Sequence, residues 1–175
     1  TKYYRVVAGY SRSASSAQQL AAQIPGCSVA STAQELTDAV DLVFITTPDS
    51  VIGQVAASLN WRPGQGVVHC SGAASTEILK PALDQGAVTG ALHPFQTVGG
   101  IIDSTDAASR LEGVTFAVAG DGWLSDFLWD LAKKIGGRPV TIPDADRPLY
   151  HAAAVMGCVH LAALLQAVVE MRQAM

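Results

Sequence analysis

Six short apolar runs, at 4–10, 41–47, 66–70, 87–92, 114–119 and 138–142, alternate with stretches whose apolar residues recur at helical spacing, at 14–24, 32–39, 50–59, 74–85 and 123–135. Few architectures tolerate that pattern. Runs that are mainly apolar, rather than apolar at every second residue, predict strands covered on both faces, and such strands separated by helices build βαβ units around a parallel sheet. The expected fold is α/β, a doubly wound and mostly parallel sheet.

Several helix boundaries carry recognisable chemistry. Thr32 and Glu35 stand at the spacing of a capping box, Asp49 follows Pro48 where it can cap the next helix, and Gly136-Gly137 closes the helix that holds Lys133 and Lys134. From Asp144 the pattern changes to one long helix, with Asp146 as the expected cap, Pro148 in the first turn and no breaker before Met175. Two domains are therefore expected, at 1–143 and 144–175, the second being the opening helix of a helical domain. His151 to Val169 is apolar for about the length of a membrane span. Its two histidines, Gln166 and many alanines predict instead no membrane contact but a buried or inter-subunit helix, and hence a homodimer formed through residues 147–175.

Composition narrows the ligand class. At 49% hydrophobic and 15% charged residues the chain is richer in apolar surface than a solvated monomer needs, which again points to a partner. A net charge of −4 without any basic run excludes nucleic acid, whose binding requires clustered Lys and Arg. Cys27, Cys70 and Cys158 are odd in number and contain no Cys-x-x-Cys pair, so no metal site is expected and a cytoplasmic location fits. Thr1 to Val7 lacks the charged head and apolar stretch of a signal peptide.

Polar groups collect where the apolar runs end. Ser11, Arg12 and Ser13 follow the first run, at a position where a dinucleotide fold meets the adenine ribose and where Arg with small hydroxyls receives a 2′-phosphate; a solvated loop is the other reading. Thr46, Thr47, Pro48 and Asp49 turn the second run into a helix, either at a ligand-binding strand end or in an ordinary turn. His69-Cys70-Ser71-Gly72 and Leu92-His93-Pro94-Phe95-Gln96 end the next two runs, so Ser71 and His93 can share one pocket. Cys70 has no neighbouring base, which makes it a weak nucleophile. His151 opens the long helix and can donate a proton near neutrality. Gly120-Asp-Gly122 lacks the third glycine of a phosphate-binding loop and carries Asp121 where an anion would sit, so it predicts a plain helix start.

Trp61 to Gly72, Ala91 to Thr97, Leu111 to Ala117 and Leu149 to Val155 together resemble a bacterial family that couples a Rossmann-like NADP-binding domain to a C-terminal helical domain of unknown function, within the superfamily of 6-phosphogluconate dehydrogenase-like and deazaflavin-dependent NADP oxidoreductases. The resemblance implies an NADP-dependent dehydrogenase or reductase of a small oxo or hydroxy acid, with chemistry like that of ketopantoate reductases or prephenate dehydrogenases. By position it implies that Ser11, Arg12 and Ser13 meet the NADP phosphate and Thr46, Thr47, Pro48 and Asp49 the nicotinamide half. Ser71, Gly72 and Gln96 would bind substrate, with His93 and His151 catalytic. It also implies a strand and a glycine-rich turn ahead of Thr1, so the chain is expected to lack its first βα unit. Where the family carries Ser-Asn-Tyr this chain has Cys158-Val159-His160, and Val159 cannot orient a substrate as Asn would. The alternative function is therefore a non-catalytic, dimeric module that binds a nucleotide or metabolite.

Overall fold

The computed structural model describes residues 4–96 and 109–175, and the strands within them form two sheets. β1 (Ala8–Gly9) leads through α1 (Ala14–Gln23) to β2 (Ser28–Val29), and the two strands pair in parallel. After α2 (Ala33–Ala39) the second sheet follows in the order β3 (Leu42–Ile45), β4 (Gly66–His69), β5 (Val88–Pro94), β6 (Thr115–Gly120) and β7 (Arg138–Thr141). Its pairs are parallel except β5 with β6. The fold is the mostly parallel α/β arrangement that the alternating pattern predicts.

Helices cover both faces of the larger sheet. On one side Val43, Ile45 and Val67 pack against Ile52 and Ala56 of α3 (Ile52–Ala57) and Ala82 of α4 (Lys80–Leu83). On the other, Val68, Leu92, Phe116 and Val118 meet Leu124, Leu128 and Ala132 of α5 (Gly122–Lys134). All four residues of β4 are buried, as a central parallel strand requires, and each fully buried Val or Leu contributes about 1.5–3 kcal/mol. Gly136 ends α5 with φ +85°, a conformation that glycine adopts without steric cost.

The register positions the site. β4 pairs with β5 only as far as His69 opposite Ala91, whereas β5 continues to Pro94 opposite Phe116 of β6. The last residues of β5, His93 among them, thus stand beyond the end of β4 and above the turn that follows it. After β7 the chain crosses back through a 3₁₀ turn, Asp144–Asp146, into α6 (Arg147–Val155), a π-helical turn (Met156–His160) and α7 (Leu161–Gln173). Asp144 fastens this crossing: its carboxylate accepts from Ser75 Oγ at 2.6 Å and Arg147 Nε at 2.9 Å.

Several local expectations are corrected. The run 4–10 is a strand only at Ala8–Gly9, because only these residues find a partner, and that partner, β2, has no apolar run to announce it. Asp49 and Asp146 make no cap bonds: Asp49 opens a 3₁₀ turn with its carboxylate turned to Ser71, and Asp144 takes the bonding position expected of Asp146. The Thr32 cap does form, with Glu35 N–H donating to Thr32 Oγ1 at 3.0 Å, while the Glu35 carboxylate accepts from Ser31 N–H rather than from the cap residue itself. The segment Asp144–Gln173 is long and apolar enough to cross a membrane by length and composition, and its most apolar window is only 6% buried. Thr97, the last residue of the His-Pro motif, lies outside the described residues.

Candidate functional site

Since β3, β4 and β5 run in parallel, their carboxyl ends share one edge, and the turns that follow them deliver Asp49, Ser71 and His93 to it. Ser71 is buried and its hydroxyl both donates and accepts: it donates to Asp49 Oδ2 at 2.5 Å and accepts from Ala74 N–H at 3.0 Å. A charge-assisted bond of this kind ties the β3 turn to the β4 turn. Ser71 N–H in turn donates to His69 Nδ1 at 3.1 Å, which fixes the ring of His69 at the end of β4.

Gly72 is the centre of the arrangement. A Cβ built there would lie 2.7 Å from His151 Nδ1 and 2.8 Å from His93 Nε2, so rings from β5 and from α6 converge on this residue at a distance that only glycine permits. The two rings stand 6.0 Å apart, edge to face. Tyr150, one residue before His151, places its hydroxyl 3.1 Å from His93 Nδ1 and its ring 5.4 Å from Phe95, holding the imidazole from behind. A cavity of about 180 Å³ opens beside the pair, lined by His93, Gln96 and His151 and, along the helix, by Ala154, Val155, Cys158 and Val159. The π-helical turn supplies the last two; such one-turn expansions recur at functional sites.

Burial pushes the His69 and His93 imidazoles down to about 4, with the positive charge of Arg147 adding to both and that of His151 also acting on His93. Both rings are neutral at pH 7. Burial pushes the Cys70 thiol up to about 11, which leaves it protonated and unreactive. Partial burial raises the Asp144 carboxyl, but the bonds from Ser75 and Arg147 outweigh it and hold the group below its usual range. Burial raises the Tyr150 phenol.

Of the residues expected to meet a cofactor, Asp49 is bonded to Ser71, while Ser11, Arg12, Ser13, Thr46 and Thr47 lie away from the imidazole pair. Thr46 and Thr47 line a second cavity, of about 100 Å³, between β3 and the end of β1, where Tyr10 forms the wall next to Ser11. Ser11, Arg12 and Ser13 lead into α1; Ser11 Oγ accepts from Ser13 N–H at 3.2 Å, and Ser13 Oγ is 2.8 Å from Ser15 Oγ. Exposed hydroxyls, a guanidinium and a helix start suit a phosphate group. Three residues that act on the imidazole pair or its neighbours carry no assignment from sequence reasoning: His69, Tyr150 and Arg147. The signal was the spacing 147, 150, 151, 154, which puts a charge on the stripe that also carries His151.

Comparison with known proteins matches residues 2–94 to the Rossmann-like domain family and residues 114–175 to a domain of unknown function, DUF2520. No curated protein matches the chain. Among solved structures, protein TM1727 of Thermotoga maritima is similar at 27% identity and TM-score 0.67 over 94% of this chain and 60% of its own. A Bacteroides fragilis protein, BF3122, described as an NADP oxidoreductase shares 19% identity and a TM-score of 0.77 over 99% of this chain and 64% of its own. Prephenate dehydrogenase of Aquifex aeolicus shares 14% identity and a TM-score of 0.72 over 97% and 64%. The chain thus spans less than two thirds of the length of these structures.

Proposed function

The chain belongs to the Rossmann-like domain family, with DUF2520 behind that domain, and on this premise we propose that it is an NADP-dependent oxidoreductase moving a hydride between nicotinamide and a small oxo or hydroxy acid. The observation that carries the reading is the convergence of His93 Nε2 and His151 Nδ1 over Gly72, at the edge where the parallel strands end. The similarity to an NADP oxidoreductase and to a prephenate dehydrogenase supports it.

Ser11, Arg12 and Ser13 would hold the phosphate of the adenosine half, and Thr46, Thr47, Pro48 and Asp49 would border the nicotinamide. The bound cofactor supplies or accepts the hydride. His93, neutral and backed by Tyr150, orients the carbonyl or hydroxyl oxygen of the substrate, while His151 moves the proton to or from that oxygen. Gly72 lets both rings approach the β4 turn, Ser71 and Asp49 fix that turn, and Gln96 lines the cavity beside the rings.

Titration with NADPH and NADH tests the cofactor assignment. NADPH is expected to bind at least tenfold more tightly, with Arg12→Ala closing the gap; equal weak binding of both removes Arg12 from the site. NADPH-dependent turnover that survives His151→Ala removes His151 from proton transfer. One observation favours the non-catalytic module as a second reading: Val159 lines the cavity with an apolar wall. Saturable NADPH binding without turnover of any small oxo acid would decide for it. The proposed assembly is a cytoplasmic homodimer formed through residues 147–175, whose exposed Leu161, Leu164, Leu165 and Val168 supply an apolar face.

A further inference from the structure

Four buried side-chain nitrogens among the described residues have no hydrogen-bond partner: His69 Nε2, Arg147 Nη1 and Nη2, and His151 Nδ1. Folded proteins satisfy nearly all such groups, and one left unpaired costs about 1–3 kcal/mol, more when it is charged. Here all four fall in one neighbourhood. Arg147 opens α6 with no exposed surface, Tyr150 and His151 follow three and four residues later on the same stripe, and that stripe continues through Ala154 as the wall of the larger cavity. His69 accepts on Nδ1 from Ser71, so its neutral ring carries the proton on Nε2; the Ser75 backbone is close enough to favour the charged ring but completes no hydrogen bond to that nitrogen. The positive charge of Arg147 is felt by both His69 and His93.

The missing partner can be described by its chemistry. Only Nε of Arg147 is bonded, to an Asp144 carboxylate that also serves Ser75 and is 42% exposed. The two terminal nitrogens form a planar fork whose natural complement is a carboxylate with two oxygens. Asp144 balances the charge through Nε, so what the fork still lacks is a pair of acceptor oxygens for its terminal N–H groups. Because the chain carries a net charge of −4, no diffuse field draws an anion in; a local cation must do so.

We propose that Arg147 anchors the carboxylate of an acidic ligand, with His69 Nε2 donating a further bond to the same group, while His93 and His151 face the ligand's carbonyl or hydroxyl oxygen. One turn beyond Arg147 on the same stripe, His151 lines the cavity from which a ligand would enter. The anchor itself follows from the unpaired nitrogens, and the placement of the reacting oxygen rests on the proposed oxidoreductase reading.

Pyruvate and its uncharged amide, pyruvamide, titrated calorimetrically into the full chain with and without NADPH, separate these elements. Pyruvate is expected to bind at least tenfold more tightly than pyruvamide. Arg147→Gln should abolish that preference, Arg147→Lys should keep part of it, and His69→Gln should reduce it several-fold, giving a readout even where Arg147→Gln does not fold. Equal binding of the two probes, binding of neither, or an undiminished preference in folded Arg147→Gln overturns the anchor. NADPH binding without a carboxylate preference defeats the anchor alone, whereas a carboxylate preference without NADPH binding supports the anchor and defeats the oxidoreductase reading.

Discussion

A single methyl group at residue 72 would sit within 2.8 Å of ring nitrogens from two different elements, so Gly72→Ala tests the site with little change elsewhere. Overpacking of this kind costs about 1–3 kcal/mol when rigid neighbours must move. We expect Gly72→Ala to remain folded in a thermal melt while losing at least tenfold in NADPH turnover or ligand affinity. Ser71→Ala acts differently, since it removes both the donor to Asp49 and the acceptor for Ala74 N–H. Loss of one charge-assisted and one neutral bond predicts a destabilisation of about 1–3 kcal/mol in urea unfolding. The sequence exposes His93, Ser71 and His151 as candidates because polar groups at the ends of apolar runs stand out. It does not expose Arg147 or His69, whose importance comes from burial, a property of the assembled fold; only the charge at helical spacing from His151 hinted at Arg147.

Among the elements, the π-helical turn at Met156–His160 allows the clearest test. Gly157 lies within it, and an added Cβ there would meet nothing within 4 Å. Gly157→Ala should therefore raise stability by about 0.5–1 kcal/mol, read as a higher Tm, because it reduces the backbone freedom lost on folding without a clash. Strands β3 to β6 were legible since each holds a mainly apolar stretch, β7 from Val140 and its place after a helix, and α5 from its apolar spacing and the glycines that end it. β2 was not legible: Ser28 and Val29 are both exposed, and two residues offer no periodicity. The 3₁₀ turns at Asp49–Val51 and Asp144–Asp146 were hidden for another reason, namely that their acidic residues bond to side chains far away in the sequence.

For the whole molecule, stability should depend on pH through His69 and His93. Their folded values near 4 lie below the ordinary 6.5, so between these limits the unfolded chain binds protons that the folded chain refuses. Stability is thus expected to fall as pH drops through that window, by at most about 1.4 kcal/mol per pH unit for each imidazole. Unfolding free energies flat from pH 6.5 to 4.5 would mean that both rings are solvated. The C-terminal helix sets a second property of the molecule. If α7 pairs with a second copy, Leu164→Glu combined with Leu165→Glu should convert a dimer into a monomer in sedimentation equilibrium; a wild-type monomer that partitions into lipid vesicles would argue for a membrane instead.

The division into two sheets has a consequence for how the molecule breathes. β1 and β2 are joined by a ladder of two residue pairs, whereas β4 and β5 share four pairs, with β4 buried along its whole length. Opening the first unit exposes little apolar surface, so the amides of Ala8 to Ala30 should exchange with solvent deuterium far sooner than those of Val67, Val68 and Ala91, which are released only by global unfolding. The hydroxyls and guanidinium of Ser11, Arg12 and Ser13 lie in the part that opens easily, and the imidazole pair lies against the part that does not. A ligand that bridges the two would slow exchange in the first unit most, giving a residue-resolved signature of binding that requires no turnover.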